Sequence, residues 1–311
     1  INATGTDPID LSCIETITGY LEIENSLAPS IDLSGLKSIG DELYIHENDD
    51  LETIDLSALE TIDSYLNITN NSELLSLDLS ALESVDSDFY VYQNDNMESI
   101  GLDSLSTVGG YMELNNNDAI EEISMPSLSE VDGSFYLYYQ DSASLISAPL
   151  LETINGTLYV YNNNGLEELD LSGLVEVTST FYIDNNDYLE TVDLSSLVEV
   201  SSSLYIYYND RLETVDMQSL ETASSTFYIY ENGALEDIDL SSLEEVGGSL
   251  TFNDNDSYAA LDMPSLLEVV GNLSVTNNDS ITSLSAPLLE SVGSSLIIQS
   301  NEDLTDVDLS S

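Results

Sequence analysis

The sequence predicts an all-β fold, a right-handed parallel β-solenoid of about thirteen coils. Three observations predict it. A 23-residue repeat runs through almost the whole chain, apolar residues within each repeat are spaced by two, and one amide-bearing position returns once per repeat. The segment "LETIDLSALETIDSYLNITNNSE" from Leu51 is followed in the same frame by copies starting at Leu74, Met97, Ile120, Ala143, Leu166, Leu189, Leu212, Leu235, Tyr258, Ile281 and Leu304. Residues 1–311 therefore read as one continuous solenoid domain. Residues 1–27 form a first, slightly shorter coil, and residues 28–311 form regular repeats that end mid-repeat.

Each element of the repeat has a physical reason. Seven positions are apolar, as in Leu51, Ile54, Leu56, Leu59, Ile62, Leu66 and Ile68. The pairs Ile54/Leu56 and Leu66/Ile68 alternate as strands do, so each repeat should carry two short strands, "IDL" and "LNI", separated by turns of Ser, Gly, Asp and Asn. The Leu59 position is Leu in every copy that contains it, from Leu36 to Leu289. A single repeat cannot bury its apolar face, whereas stacked copies bury each position on its neighbour. Right-handed winding follows from the handedness of parallel crossovers.

The amide column is Asn48, Asn71, Asn94, Asn117, Asn163, Asn186, Asn209, Asn232, Asn255, Asn278 and Asn301, with Gln140 as the one substitution, which keeps the amide. A side-chain amide both donates and accepts, so stacked copies can satisfy turn backbone and bond to the next coil. This column reads as structural.

The charge excludes whole classes of partner. Lys37 and Arg211 are the only Lys or Arg residues against 60 acidic ones, a net charge of -58. Nucleic acid and anionic membrane surfaces both require cationic groups. No apolar run approaches the roughly 20 residues of a spanning helix, so no direct membrane insertion is expected in this segment. So acidic a surface repels itself and should need salt or cations to stay compact, either as an adaptation to saline water or as a calcium-binding device. The column Asp32, Asp55, Asp78, Asp170, Asp193, Asp216, Asp239, Asp262 and Asp308 is where calcium could bridge carboxylates, with diffuse screening as the alternative. No other cofactor is implied, and the metal ligands remain unknown at this point. Cys13 is the only cysteine and His46 the only histidine, so neither an internal disulfide nor a zinc site of the usual Cys/His type can be built. Cys13 reads as a buried free thiol. The chain begins at Ile1 rather than Met, which suggests a mature or trimmed chain.

The stretch "LYIYYNDRLETVDMQSL" is similar to leucine-rich repeats, and "CIETITGYLEIEN" (Cys13 to Asn25) looks like the start of a receptor L domain. The repeated pattern resembles the L-domain-like ectodomains of glycosylated fungal cell-wall proteins and the 23-residue leucine-rich repeats of some bacterial surface proteins. What this resemblance implies is a non-enzymatic protein that is extracellular or at the cell surface. The chain departs from those families in having no cysteine pairs, no C-terminal cap and this extreme charge.

Two columns of tyrosine occupy outward strand positions. One contains Tyr44, Tyr90, Tyr136, Tyr159, Tyr182, Tyr205 and Tyr228; the other contains Tyr92, Tyr138, Tyr161, Tyr207 and Tyr230. The block from Tyr136 to Tyr230 is either a self-stacking structural ladder or a sticky amphipathic binding face. Its partner would be a glycan, another copy of the chain or a second surface protein. Asn2, Asn67, Asn155 and Asn272 are the better N-glycosylation acceptors among the N-x-S/T sequons. Catalysis is not expected: regular carboxylate columns are not an acid and base with separated pKa values, and the two basic residues lie many coils apart. Both ends of the sequence look like bare strands. End-to-end self-association into a filament is therefore expected, Val307 to Leu309 of one copy meeting Ile9 to Leu11 of the next. The alternative is an adhesion or ligand-binding ectodomain that uses the tyrosine face.

Overall fold

The structure is a computed structural model that describes residues 1–309. Its described residues are all β, with no helix, and every strand pair is parallel. The chain forms two compact units, Ile1–Asn155 with Asn163–Leu166, and Gly156–Asn162 with Glu167–Ser311. The first unit holds six four-residue strands, from Leu21–Glu24 to Phe135–Tyr138, and the second holds seven, from Leu158–Tyr161 to Leu296–Gln299.

Register follows the repeat. In the first unit Leu66 pairs with Phe89 and Ile54 with Leu77, each a step of 23. Leu21 pairs with Leu43, a step of 22, so the first coil is one residue shorter, as expected. In the second unit Leu204 pairs with Phe227 and Val192 with Val215. Every Leu at the Leu59 position, from Leu36 to Leu289, is buried.

The expectation of two strands per repeat is corrected to three. Thr61–Ile62 and its equivalents form their own parallel ladder between the other two strands. Two residues offer one inward side chain, so the sequence shows no alternation there. The short connection after it leads to the four-residue strand, the longest element of each coil.

One turn of each coil is left-handed. Thirteen described residues, from Asn25 to Ser300, have φ between 48° and 57°, each just after a four-residue strand. Six of them are Asn, which tolerates this region better than most residues. The next residue is the amide column, and its members from Asn48 to Asn278 are buried. In the first unit Asn71 Nδ2 donates to Ile45 O at 2.9 Å and to Asn94 Oδ1 at 3.1 Å, while its Oδ1 accepts from Asn48 N and Nδ2. In the second unit Asn209 repeats the pattern with Ile183 O, Tyr207 O and Asn232 Oδ1. Gln140 does not. It is fully buried, its backbone N–H donates to Asn163 Oδ1 at 3.1 Å, and neither side-chain amide atom has a partner among the described residues. The extra methylene carries the amide out of register, so residue type alone does not extend the ladder.

The aspartate column also has a local role that charge alone did not suggest. Asp10, Asp32, Asp55, Asp78, Asp170, Asp193, Asp216 and Asp239 each accept, through Oδ1, the backbone N–H two residues on. These Asx turns fold the corner after the three-residue strand. At Asp262 the residue two ahead is Pro264, which has no N–H to give. Four residues earlier in the same repeat, Tyr258 fills a leucine position, stacks on Phe252 and donates its hydroxyl to Ile238 O at 3.2 Å. That contact occupies a carbonyl at the point where the ladder of three-residue strands is interrupted, between Asp237–Ile238 and Ala260–Asp262.

Candidate functional site

The outward positions of the four-residue strands carry the tyrosines. A four-residue strand buries two side chains and turns two out, which the burial pattern of Leu204–Tyr207 shows directly: Leu204 and Ile206 are buried, Tyr205 and Tyr207 half-buried. The tyrosines are half-buried because they cover one another.

In the first unit the face consists of Tyr90, Tyr92, Tyr111, Tyr136 and Tyr138. Tyr111 stacks on Tyr136 with centroids 6.3 Å apart. The Tyr138 hydroxyl donates to Glu113 Oε1 in the preceding coil, and Tyr90 donates to Asp88 Oδ2 at 3.2 Å. Burial, together with Asp88, pushes the Tyr90 hydroxyl up to about 12, and burial with the Glu113 bond raises Tyr138 as well.

In the second unit the face is denser. Tyr182 and Tyr205 stack at 4.9 Å, Tyr159 and Tyr161 at 5.4 Å, and Tyr228 lies 6.2 Å from Tyr205 and 5.5 Å from Tyr230. Aromatic pairs of this kind contribute about 0.5–1.5 kcal/mol each beyond area burial. Asp184 sits among them where the column would otherwise carry tyrosine, paired in register with Tyr161 and Tyr207. It is 3% exposed and is held by hydrogen bonds from Tyr207, Asn185 and Tyr159. Burial raises its carboxyl above the usual range despite those donors. The same burial, with the Asp184 bond, raises Tyr207.

Two further tyrosines widen these faces. Tyr139 in the first unit (φ 54°) and Tyr208 in the second (φ 56°) occupy the left-handed turn position, 37% and 38% exposed. A bulky residue there costs roughly 1–2 kcal/mol. Tyr139 packs edge-on against Tyr138, and Tyr208 against Tyr207 and Tyr230. Sequence reading overlooked both, along with Asp184; the signal was a tyrosine repeated directly after the column, in "YLYYQD" and "YIYYND".

The remaining expectations fall elsewhere. Asn2 and Asn155 are exposed, and Asn67 and Asn272 are half-buried. Asn155 Nδ2 donates to Asp132 Oδ1 at 2.9 Å, and Asn67 Oδ1 accepts from Thr69. Cys13 is exposed, which corrects the expectation of a buried thiol: the first coil has a neighbour on one side only within the described residues. Among the described residues one trio of ligand-type side chains converges, and it is Glu22, Glu24 and His46, not the aspartate column. Arg211 lies over the Tyr188 ring at 4.2 Å, a cation–π contact within the second unit.

No protein-family model matches the chain, and no curated protein matches it. Two solved structures are similar to it. A leucine-rich repeat protein from Bacteroides ovatus ATCC 8483 shares 14% identity over 99% of this chain and 88% of its own, with a TM-score of 0.32. The pneumococcal vaccine antigen PcpA shares 16% identity over 98% of this chain and 78% of its own, with a TM-score of 0.29.

Proposed function

We propose that the chain is a non-enzymatic, extracellular or cell-surface repeat protein whose tyrosine and carboxylate face binds a cationic partner. The observation that carries this reading is Asp184, a carboxylate 3% exposed inside a ladder of tyrosines and bonded by the hydroxyls of Tyr159 and Tyr207. Ring faces and partly desolvated carboxylates together suit guanidinium and ammonium groups. The net charge of -58 steers any such partner toward the molecule. Glycans on Asn2, Asn67, Asn155 and Asn272 belong to the same surface reading.

Titrating octa-arginine and a neutral oligosaccharide into the protein tests it. The chain has no tryptophan, so its emission comes from tyrosine and reports the face. Quenching by octa-arginine that weakens with salt supports the reading; saturable binding of the sugar alone, indifferent to salt, overturns it in favour of a glycan-binding face. A second reading, self-association, rests on Leu296 and Val307, which are 48% and 47% exposed at core positions of the last described coil. A further coil, from the same chain or from a second copy, would cover them. Sedimentation across protein concentration tests this, and a constant monomer would count against it.

A further inference from the structure

A chain with 60 acidic residues has one histidine, and its location is informative. His46 closes the four-residue strand Leu43–His46 on the outward face, and its register partner on the neighbouring strand is Glu24. Glu22 lies two residues before Glu24 on the same face of Leu21–Glu24. Among the thirteen described four-residue strands, this is the one whose two outward positions are both acidic; the others carry at most one carboxylate, as at Glu113 and Asp184. Two like charges two residues apart on one face of a strand repel unless something answers them.

His46 Nε2 lies 3.5 Å from Glu22 Oε1, and one ligand atom from each of the three side chains falls within 4.8 Å of the others. A lone Glu–His ion pair would need only one of those carboxylates. The surroundings also orient the groups. The His46 ring is edge-on to Tyr44 at 6.0 Å, and Tyr44 is in turn edge-on to Tyr65 at 4.9 Å. Asn25 Nδ2 donates to Glu24 Oε1 at 3.0 Å, which fixes that carboxylate and leaves its second oxygen for another partner. A tetrahedral ion with ligand bonds of about 2.0–2.2 Å has its ligand atoms about 3.4 Å apart, close to the Nε2–Oε1 separation already present.

We infer that Glu22, Glu24 and His46 form a binding site for a borderline divalent metal ion of the zinc type, with water completing the coordination. The imidazole selects against calcium and magnesium, which take oxygen ligands. Three protein ligands with an open position distinguish this site from a closed structural one. Because Glu22 and Glu24 belong to the first coil and His46 to the second, the ion clamps those two coils together. The site lies in the first unit and is independent of the tyrosine block.

The test titrates Zn2+ into the chelator-treated full chain in excess Mg2+, which occupies the diffuse carboxylate field. The single histidine gives one set of imidazole C–H resonances, so the readout is unambiguous. These resonances shift and saturate at one equivalent of Zn2+, and the melting temperature rises with them. In a Glu22→Gln, Glu24→Gln double variant, which stays folded without metal because both side chains face outward, the affinity read at His46 falls by about tenfold or more. Imidazole resonances that stay put while Zn2+ is taken up would overturn the site. So would a double variant that keeps the wild-type affinity.

Discussion

The asparagine column and the tyrosine columns are built by the same device, one side chain repeated at strand spacing, yet they differ in what they leave unsatisfied. Asn209 spends its whole amide inside the second unit: three acceptors for Nδ2, and two donors, Asn186 N and Nδ2, on its Oδ1. Nothing remains for a ligand. The tyrosines in the same unit stack on each other but keep their rings half in water, and the hydroxyls of Tyr159 and Tyr207 bond the buried carboxylate of Asp184. A repeated residue is therefore structural or available according to whether its bonds close within the ladder, not according to how regular it is.

The comparison breaks most visibly at the asparagines. Asn209→Ala removes the side-chain donor to Ile183 O and Tyr207 O and the acceptor of the Asn186 backbone N–H in a buried turn. It should lower the unfolding free energy by about 4 kcal/mol in chemical denaturation. The converse applies at Gln140 in the first unit. Gln140→Asn puts an amide back in register with Asn117 and Asn163 and should raise stability by about 1–2 kcal/mol.

Alkaline titration sharpens the tyrosine side. A hydroxyl whose folded pKa is raised binds its proton more tightly in the native state. Its contribution is fully present below the unfolded value near pH 10 and is lost as pH rises through the folded value. For Tyr90 that window runs from about 10 to about 12, and Tyr138 and Tyr207 shift in the same direction. Tyrosinate absorbance should therefore appear in two stages, exposed rings first, with the second stage coinciding with loss of β circular dichroism. A single stage near pH 10 with the fold intact would mean the face is open to water. Asp184 works the same way at the acid end: its raised carboxyl makes stability increase as pH falls through its folded value, and Asp184→Asn should abolish that increment.

Much of this was legible in the sequence, for a reason that also explains what was not. A period of 23 fixes which residues stack, so the leucine core and the amide column could be read from "LETIDLSALETIDSYLNITNN" without a structure. What escaped depended on departures from the period. Asp184 looks like a missing tyrosine until its burial and donors are seen, and Tyr208 looks like part of a loop until its φ places it beside Tyr207 and Tyr230. The Glu22, Glu24 and His46 trio required the register of the one shortened coil. The third strand, as at Thr61–Ile62, is too short to leave a pattern.

The last prediction concerns the tyrosines themselves, and it carries the central claim. Tyr228 pairs in register with Thr251, so threonine already occupies this column in a neighbouring coil of the same unit. Replacing Tyr182, Tyr205 and Tyr228 together by threonine removes six ring pairs and should cost about 3–9 kcal/mol. The decisive measurement is octa-arginine affinity of this triple variant, taken alongside its unfolding free energy. The account predicts a folded protein whose affinity for octa-arginine drops at least about tenfold, since each cation–π contact is worth about 0.5–2 kcal/mol. A folded variant that binds as tightly as the wild type would show that the tyrosines are scaffold and that the binding face lies elsewhere.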